Sequence, residues 1–147
     1  MNVILLTAFI AWVCSQVTKT IIHLIIHKRI ERERIFGDGG MPSSHTAVVT
    51  STATAVGLQC GIESPLFALA VILALIVMHD ARGVRQETGK QARVINNILE
   101  LFDSMGRGDL TPEETLKEFV GHTGRQVFVG ALLGILIALI LYWVGLK

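Results

Sequence analysis

Only two cysteines, Cys14 and Cys60, occur in the 147 residues. Neither stands at a metal or redox spacing, so both read as small buried hydrophobes and no disulfide is expected. An excess of one charge is lacking too: 13 Lys and Arg against 12 Asp and Glu leave a net charge of +1. With no basic stripe interleaved with aromatics, no nucleic-acid partner is expected. Internal repeats and low-complexity tracts are absent. The N-terminus has no basic region, and its apolar run carries Gln16 and Lys19 with no clear cleavage pattern after it. A cleavable signal peptide is therefore not expected, and the first apolar run reads as a retained helix.

What the chain has in quantity is apolar surface. Hydrophobic residues make up 51% of it and the mean hydropathy is +0.56, too apolar for an ordinary soluble domain. The length suits a single domain over residues 1–147. A helix needs about 20 residues to cross the hydrocarbon. Residues 3–26 and 127–146 approach that length, and the shorter runs 46–60 and 65–78 reach it with polar extensions. The expected fold class is all-α: an integral membrane bundle of about four transmembrane helices, with a tight hairpin at 61–65 joining the middle two.

The basic residues are unevenly placed. Lys28, Arg29, Arg32 and Arg34 follow the first helix, and Arg82, Arg85, Lys90, Arg93, Arg107, Lys117 and Arg125 follow the third, while the hairpin at 61–65 has none. By the positive-inside rule both basic connections face the cytoplasm. The alternation Glu31-Arg32-Glu33-Arg34 also reads as a solvated face, but the asymmetry survives that reading. The expected location is the inner, cytoplasmic membrane, with the polar residues of interest at its cytoplasmic face.

Those residues come from four segments. Gly39-Gly40-Met41-Pro42-Ser43-Ser44-His45-Thr46 places paired glycines, two hydroxyls and an imidazole at the start of an apolar helix. The glycines allow a tight turn, Pro42 suits a first helical turn, and the orphan N–H groups beyond it make an anion site. Ser43 or Ser44 as an ordinary cap is the plainer alternative, which leaves His45 and the glycines unexplained. Gln16, Lys19, His23 and His27 lie along one side of the first helix and are expected to face the bundle. The third helix ends in His79-Asp80-Ala81-Arg82-Gly83-Val84-Arg85, an acid and two guanidiniums suited to an anionic headgroup, or to a salt bridge among themselves. Gly121-His122-Thr123-Gly124 then puts a second imidazole at the same face. Two imidazoles around a phosphate cradle divide into a nucleophile and a general acid, in either assignment.

Residues 84–102 carry a helical period of apolar and polar residues, read as an amphipathic helix on the membrane surface with Asn96 and Asn97 on its hydrophilic side. Residues 104–110 read as a loop, and Thr111-Pro112-Glu113-Glu114 as the start of a short helix to about Val120.

Three of these motifs in this order, residues 39–45, 80–85 and 121–123, resemble the divergent bacterial and plastid branch of the type 2 phosphatidic acid phosphatase superfamily, related to the vanadium haloperoxidases. The resemblance covers nearly the whole chain. It implies Ser43 as a phosphate ligand, His45 as general acid and His122 as nucleophile, with Ser44 where a Gly usually stands. Lys19 is the best match to the superfamily's Lys, and Arg29 or Arg34 to the Arg beside it. Leu116 stands where an Arg is usual and Gln126 where an acid is usual. Arg85 is the candidate to replace that Arg and Asp80 the acid, with Arg82 and Ser44 as further substrate contacts.

The implied function is hydrolysis of a membrane lipid phosphate through a phosphohistidine, without cofactor or metal. The candidates are phosphatidic acid, phosphatidylglycerol phosphate and an isoprenoid phosphate. A non-catalytic lipid-phosphate binding or transport protein is the alternative, favoured by Gln126, which cannot stabilise an imidazolium as a carboxylate does. A metal site from His23, His27 and His45 lacks diagnostic spacing. The superfamily's membrane enzymes usually carry more helices, which leaves room for a homodimer. The small residues Ala47, Ser51, Thr54, Ala55 and Gly57 would allow close packing within or between chains.

Overall fold

The computed structural model describes residues 2–28, 40–106, 116 and 121–145, apart from the side chains of His27 and Arg85. Among these residues the fold is all-helical: α1 Val3–His27, α2 Ser44–Cys60, α3 Pro65–Arg82, α4 Val84–Ser104 and α5 Gly124–Trp143. Each bundle helix opens on a side-chain cap. Asn2 accepts from the backbone N–H groups of Ile4 and Leu5, Ser43 from that of Thr46, Ser64 from that of Phe67, and Thr123 from that of Gln126. Pro65 stands in the first turn of α3, where its missing N–H costs nothing. The hairpin at 61–65 forms as expected, with Gly61 at φ +85° ending α2. At its far end α3 runs on through Gly83, which keeps right-handed helical dihedrals, into the amphipathic α4.

Among the described residues, three helices are long and apolar enough to cross a membrane: Val3–Ile26, the α3 part of Pro65–Ser104, and Gly124–Trp143. Their outer faces expose Leu5, Phe9 and Ile25 of α1, Leu69 and Ile76 of α3, and Leu132 and Leu136 of α5. Water would penalise such faces, whereas lipid tails accept them. The fourth bundle helix, α2, has 17 residues and packs against α5, α1 and α3. At about 1.5 Å per residue it reaches about 25 Å, short of the roughly 30 Å hydrocarbon core. It is also rich in Ser and Thr, and α1, α3 and α5 surround it.

Small residues decide how closely α2 is held. A Cβ built on Gly134 would fall 2.2 Å from Thr50 Oγ1 and 2.3 Å from the carbonyl oxygen of Ala47. One on Gly130 would fall 2.5 Å from the carbonyl oxygen of Ser43. Gly130, Gly134 and Ala138, one turn apart, are all buried in this seam. The small-residue surface of α2 is thus used within the chain: Ala47, Ser51 and Ala55 are buried, and Gly57 abuts the Phe67 ring of α3. Hydroxyls inside the bundle donate back along their own helix, as Thr50 Oγ1 does to the Thr46 carbonyl at 2.8 Å.

Two expectations are corrected. Cys60 is exposed rather than buried, because α2 ends there, while Cys14 is half-buried; both are free thiols. Asn96 is buried rather than on a hydrophilic face: its amide donates to the Leu116 carbonyl at 2.9 Å and accepts from the Leu116 N–H at 3.0 Å. It therefore ties Leu116 to α4. The basic residues Arg29, Arg32 and Arg34, residues 107–110 of the expected loop, and the expected helix at 111–120 apart from Leu116 lie outside the described residues.

The seam yields a direct test. Gly134→Ala should destabilise the folded protein in detergent by about 1–3 kcal/mol, the usual range for overpacking a filled core. Leu136→Ala, on the exposed face of the same helix, should leave the thermal midpoint nearly unchanged. Equal midpoints for both variants would mean the seam does not hold the bundle.

Candidate functional site

The N-terminus of α2 is the floor of the site. Gly40, at φ +97°, turns the chain in, and Ser43 then caps the helix. Ser43 is fully buried; its Oγ accepts from the Thr46 N–H at 3.4 Å and from Thr46 Oγ1 at 3.1 Å. Its own N–H donates to the Gln126 carbonyl at 3.1 Å, which fastens the turn to the first turn of α5. Ser44, also buried, donates to Gln16 Oε1 at 3.3 Å.

α1 forms one wall, and the expectation that its polar stripe faces inward can be read residue by residue. Gln16 meets Ser44, and Lys19 is buried with its stem on the turn. A Cβ on Gly40 would stand 3.2 Å from Lys19 Cγ. His23 is half-buried, and the side chain of His27 lies outside the described residues.

His122 arrives from the opposite side. Its N–H donates to the carbonyl of Ala81 at 2.9 Å, so the last turn of α3 holds the segment that leads into α5. The imidazole is 2% exposed, and its ring centroid lies 6.2 Å from that of half-buried His45, edge to face at 62°. The two motif histidines, 77 positions apart in sequence (122 − 45), are therefore neighbours. Gln126 Oε1 is 3.3 Å from His122 Nδ1 and also accepts from the Thr123 N–H at 2.9 Å. Thr123 and Gln126 make a reciprocal capping box at the start of α5.

The segment at residues 79–85 divides. The guanidinium of Arg82 stands beside Gly124, its Cζ 3.6 Å from where a Cβ would be, at the N-terminus of α5 and close in sequence to His122. Asp80 lines an open, mainly apolar groove with Leu75, Ile76, His79 and Val84 at the junction of α3 and α4. At His122 Nδ1 stands the Gln126 amide. Arg85 lies in the first turn of α4, its side chain outside the described residues. No group of three His, Cys, Asp or Glu able to hold a metal ion occurs among the described residues. The Thr123-x-x-Gln126 spacing is a capping-box signature legible in the sequence.

A buried imidazole beside a half-buried one, a capping serine and a sequestered lysine at the mouth of a helical membrane bundle agree with a match of the family model described as the divergent PAP2 family over residues 1–137. The chain belongs to that family. It is also 39% identical over 148 residues to the uncharacterized membrane protein YuiD of Bacillus subtilis (strain 168), covering 95% of this chain and 94% of that protein. No solved structure matches. With its three candidate spans, this member of the divergent PAP2 family is a multi-pass membrane protein.

The contact between Lys19 and Gly40 can be probed chemically. Gly40→Ala should cost about 1–2 kcal/mol for a left-handed backbone at a non-glycine residue and push the lysine stem aside. Amine labelling followed by mass spectrometry should show Lys19 modified several-fold faster than in the parent, with exposed Lys90 as internal reference. An unchanged ratio would show that Lys19 does not rest on this turn.

Proposed function

We propose that the protein is a lipid-phosphate phosphatase that hydrolyses a phosphomonoester at the cytoplasmic face of the inner membrane. The observation that carries this reading is the approach of His45 and His122 to 6.2 Å beside the Ser43 turn. Phosphatidic acid, phosphatidylglycerol phosphate and an isoprenoid phosphate all present the same terminal phosphate to such a site.

In this reading Lys19, Ser43, Ser44 and Arg82, with Arg85 from the adjoining turn, hold the phosphoryl oxygens as charge develops. Ser43 Oγ accepts two hydrogen bonds from Thr46, and its own proton is directed to the ligand. The Nε2 lone pair of His122 attacks phosphorus, the bond to the ester oxygen breaks, and protonated His45 gives its proton to the leaving alcohol. Water then attacks the phosphohistidine, its proton passes to His45, and the N–P bond breaks to release phosphate. The sum is phosphomonoester plus water to alcohol plus phosphate. Burial of His122 keeps bulk water from competing before the alcohol has left. Asp80 lines the groove at the α3 and α4 junction, and in this reading it meets the lipid there.

A second reading, lipid-phosphate binding or transport without chemistry, is favoured by one feature, the neutral Gln126 behind His122. A homodimer that covers part of the exposed bundle face is compatible with either.

The test is phosphate release by the purified protein in detergent, with chelator present, from a panel of lipid phosphates. The parent should release phosphate. His45→Ala and His122→Ala should lower kcat by at least about 10³-fold, and Ser43→Ala by about 10²-fold. Binding of a lipid phosphate with no release from any substrate would establish the second reading instead.

A further inference from the structure

We propose that Gln126 is the positioning residue of His122: it locks the imidazole in the tautomer protonated at Nδ1, and as a neutral group it keeps the phosphohistidine short-lived. The first half stands on geometry, and the second rests on the phosphatase reading above.

The capping box settles which end of the Gln126 amide faces His122. A backbone N–H, that of Thr123, points at the atom 2.9 Å away, so that atom must be the amide oxygen. The same oxygen lies 3.3 Å from His122 Nδ1, which must then be the donor. A neutral imidazole protonated at Nδ1 carries its lone pair on Nε2, the nitrogen left to attack phosphorus. The oxygen cannot readily move, because the Gln126 N–H is returned to Thr123 Oγ1 and the Gln126 carbonyl accepts from the Ser43 N–H. A single residue thus joins the start of α5, the Ser43 turn and the nucleophile.

The charge of that residue sets the second consequence. Attack through Nε2 with Nδ1 still protonated leaves a phosphorylated ring bearing positive charge. A carboxylate at Nδ1 would stabilise that charge, whereas an amide offers only its dipole. The N–P bond is then weaker, and water breaks it before the intermediate accumulates.

Three measurements test this on the full-length protein in detergent. Histidine ¹⁵N chemical shifts should give the Nδ1–H signature for His122 in the parent and a mixture of tautomers in Gln126→Leu. With a ³²P-labelled lipid phosphate and alkaline quench, the parent should hold little phosphoenzyme. Gln126→Glu, which keeps the side-chain length and both acceptor roles, should hold at least several-fold more. Gln126→Leu should lose about 10²-fold in kcat with little change in KM, the scale of loss on removing a partner that orients a working side chain, and Gln126→Glu should restore most of it. Because Glu preserves the cap, its effect on phosphoenzyme cannot come from a frayed helix.

A persistent Nδ1–H signature in Gln126→Leu would overturn the positioning role whatever the activity. Equal phosphoenzyme in the parent and Gln126→Glu would overturn the role of neutrality. A parent that releases no phosphate, combined with a lost Nδ1–H signature in Gln126→Leu, would overturn the phosphatase reading and leave the positioning role established.

Discussion

Everything at the site depends on how closely α2 and α5 approach. Inside a bilayer two helices gain nothing from hiding apolar surface, since lipid tails are as apolar as leucine; what remains is close packing and satisfied polar groups. Gly130 and Gly134 supply the first by leaving no side chain where Ser43, Ala47 and Thr50 sit. The hydroxyls of α2 supply the second by bonding carbonyls of their own helix, with Thr50 Oγ1 also 3.3 Å from the Ala131 carbonyl across the seam.

Because Ser43 opens α2 and Gln126 lies in the first turn of α5, this seam also sets the distance between the Ser43 turn and the buried imidazole. The other two helices act as fixtures. α1 brings Gln16 to Ser44 and lays Lys19 along Gly40, and α3 ends with the Ala81 carbonyl on the His122 N–H. The cradle is thus made from helix ends, where unsatisfied N–H groups and caps already favour an anion.

Much of the fold could be read from the chain. Helix positions followed from the apolar runs, the Ser43 motif and the hairpin at 61–65, and the inward stripe of α1 from the spacing of Gln16 and Lys19. Charge asymmetry put His45 and His122 at one membrane face, and assigning their separate roles required the resemblance to a family. Three features were harder to see. Gly130 and Gly134 sit in a helix so uniformly apolar that a packing face has no periodic signal. Asn96 lies among charged residues of an amphipathic helix, and only the return of Leu116 reveals that it is buried. Sequence favoured Arg85 over Arg82, and only the approach of α5 sets Arg82 against Gly124.

The short, hydroxyl-rich α2 has a further consequence, for how the protein is made. Synthesis delivers α1, α2 and α3 before α5, so the seam partner of α2 emerges well after it. Until Gly130 and Gly134 arrive, α2 is a segment too short to span and too polar to rest in lipid, held only by its neighbours in sequence. The imidazole of His122 and its supporting amide arrive with that same helix. Assembly of the membrane domain and completion of the site are therefore a single late event in biogenesis, and a chain truncated before α5 would lack both.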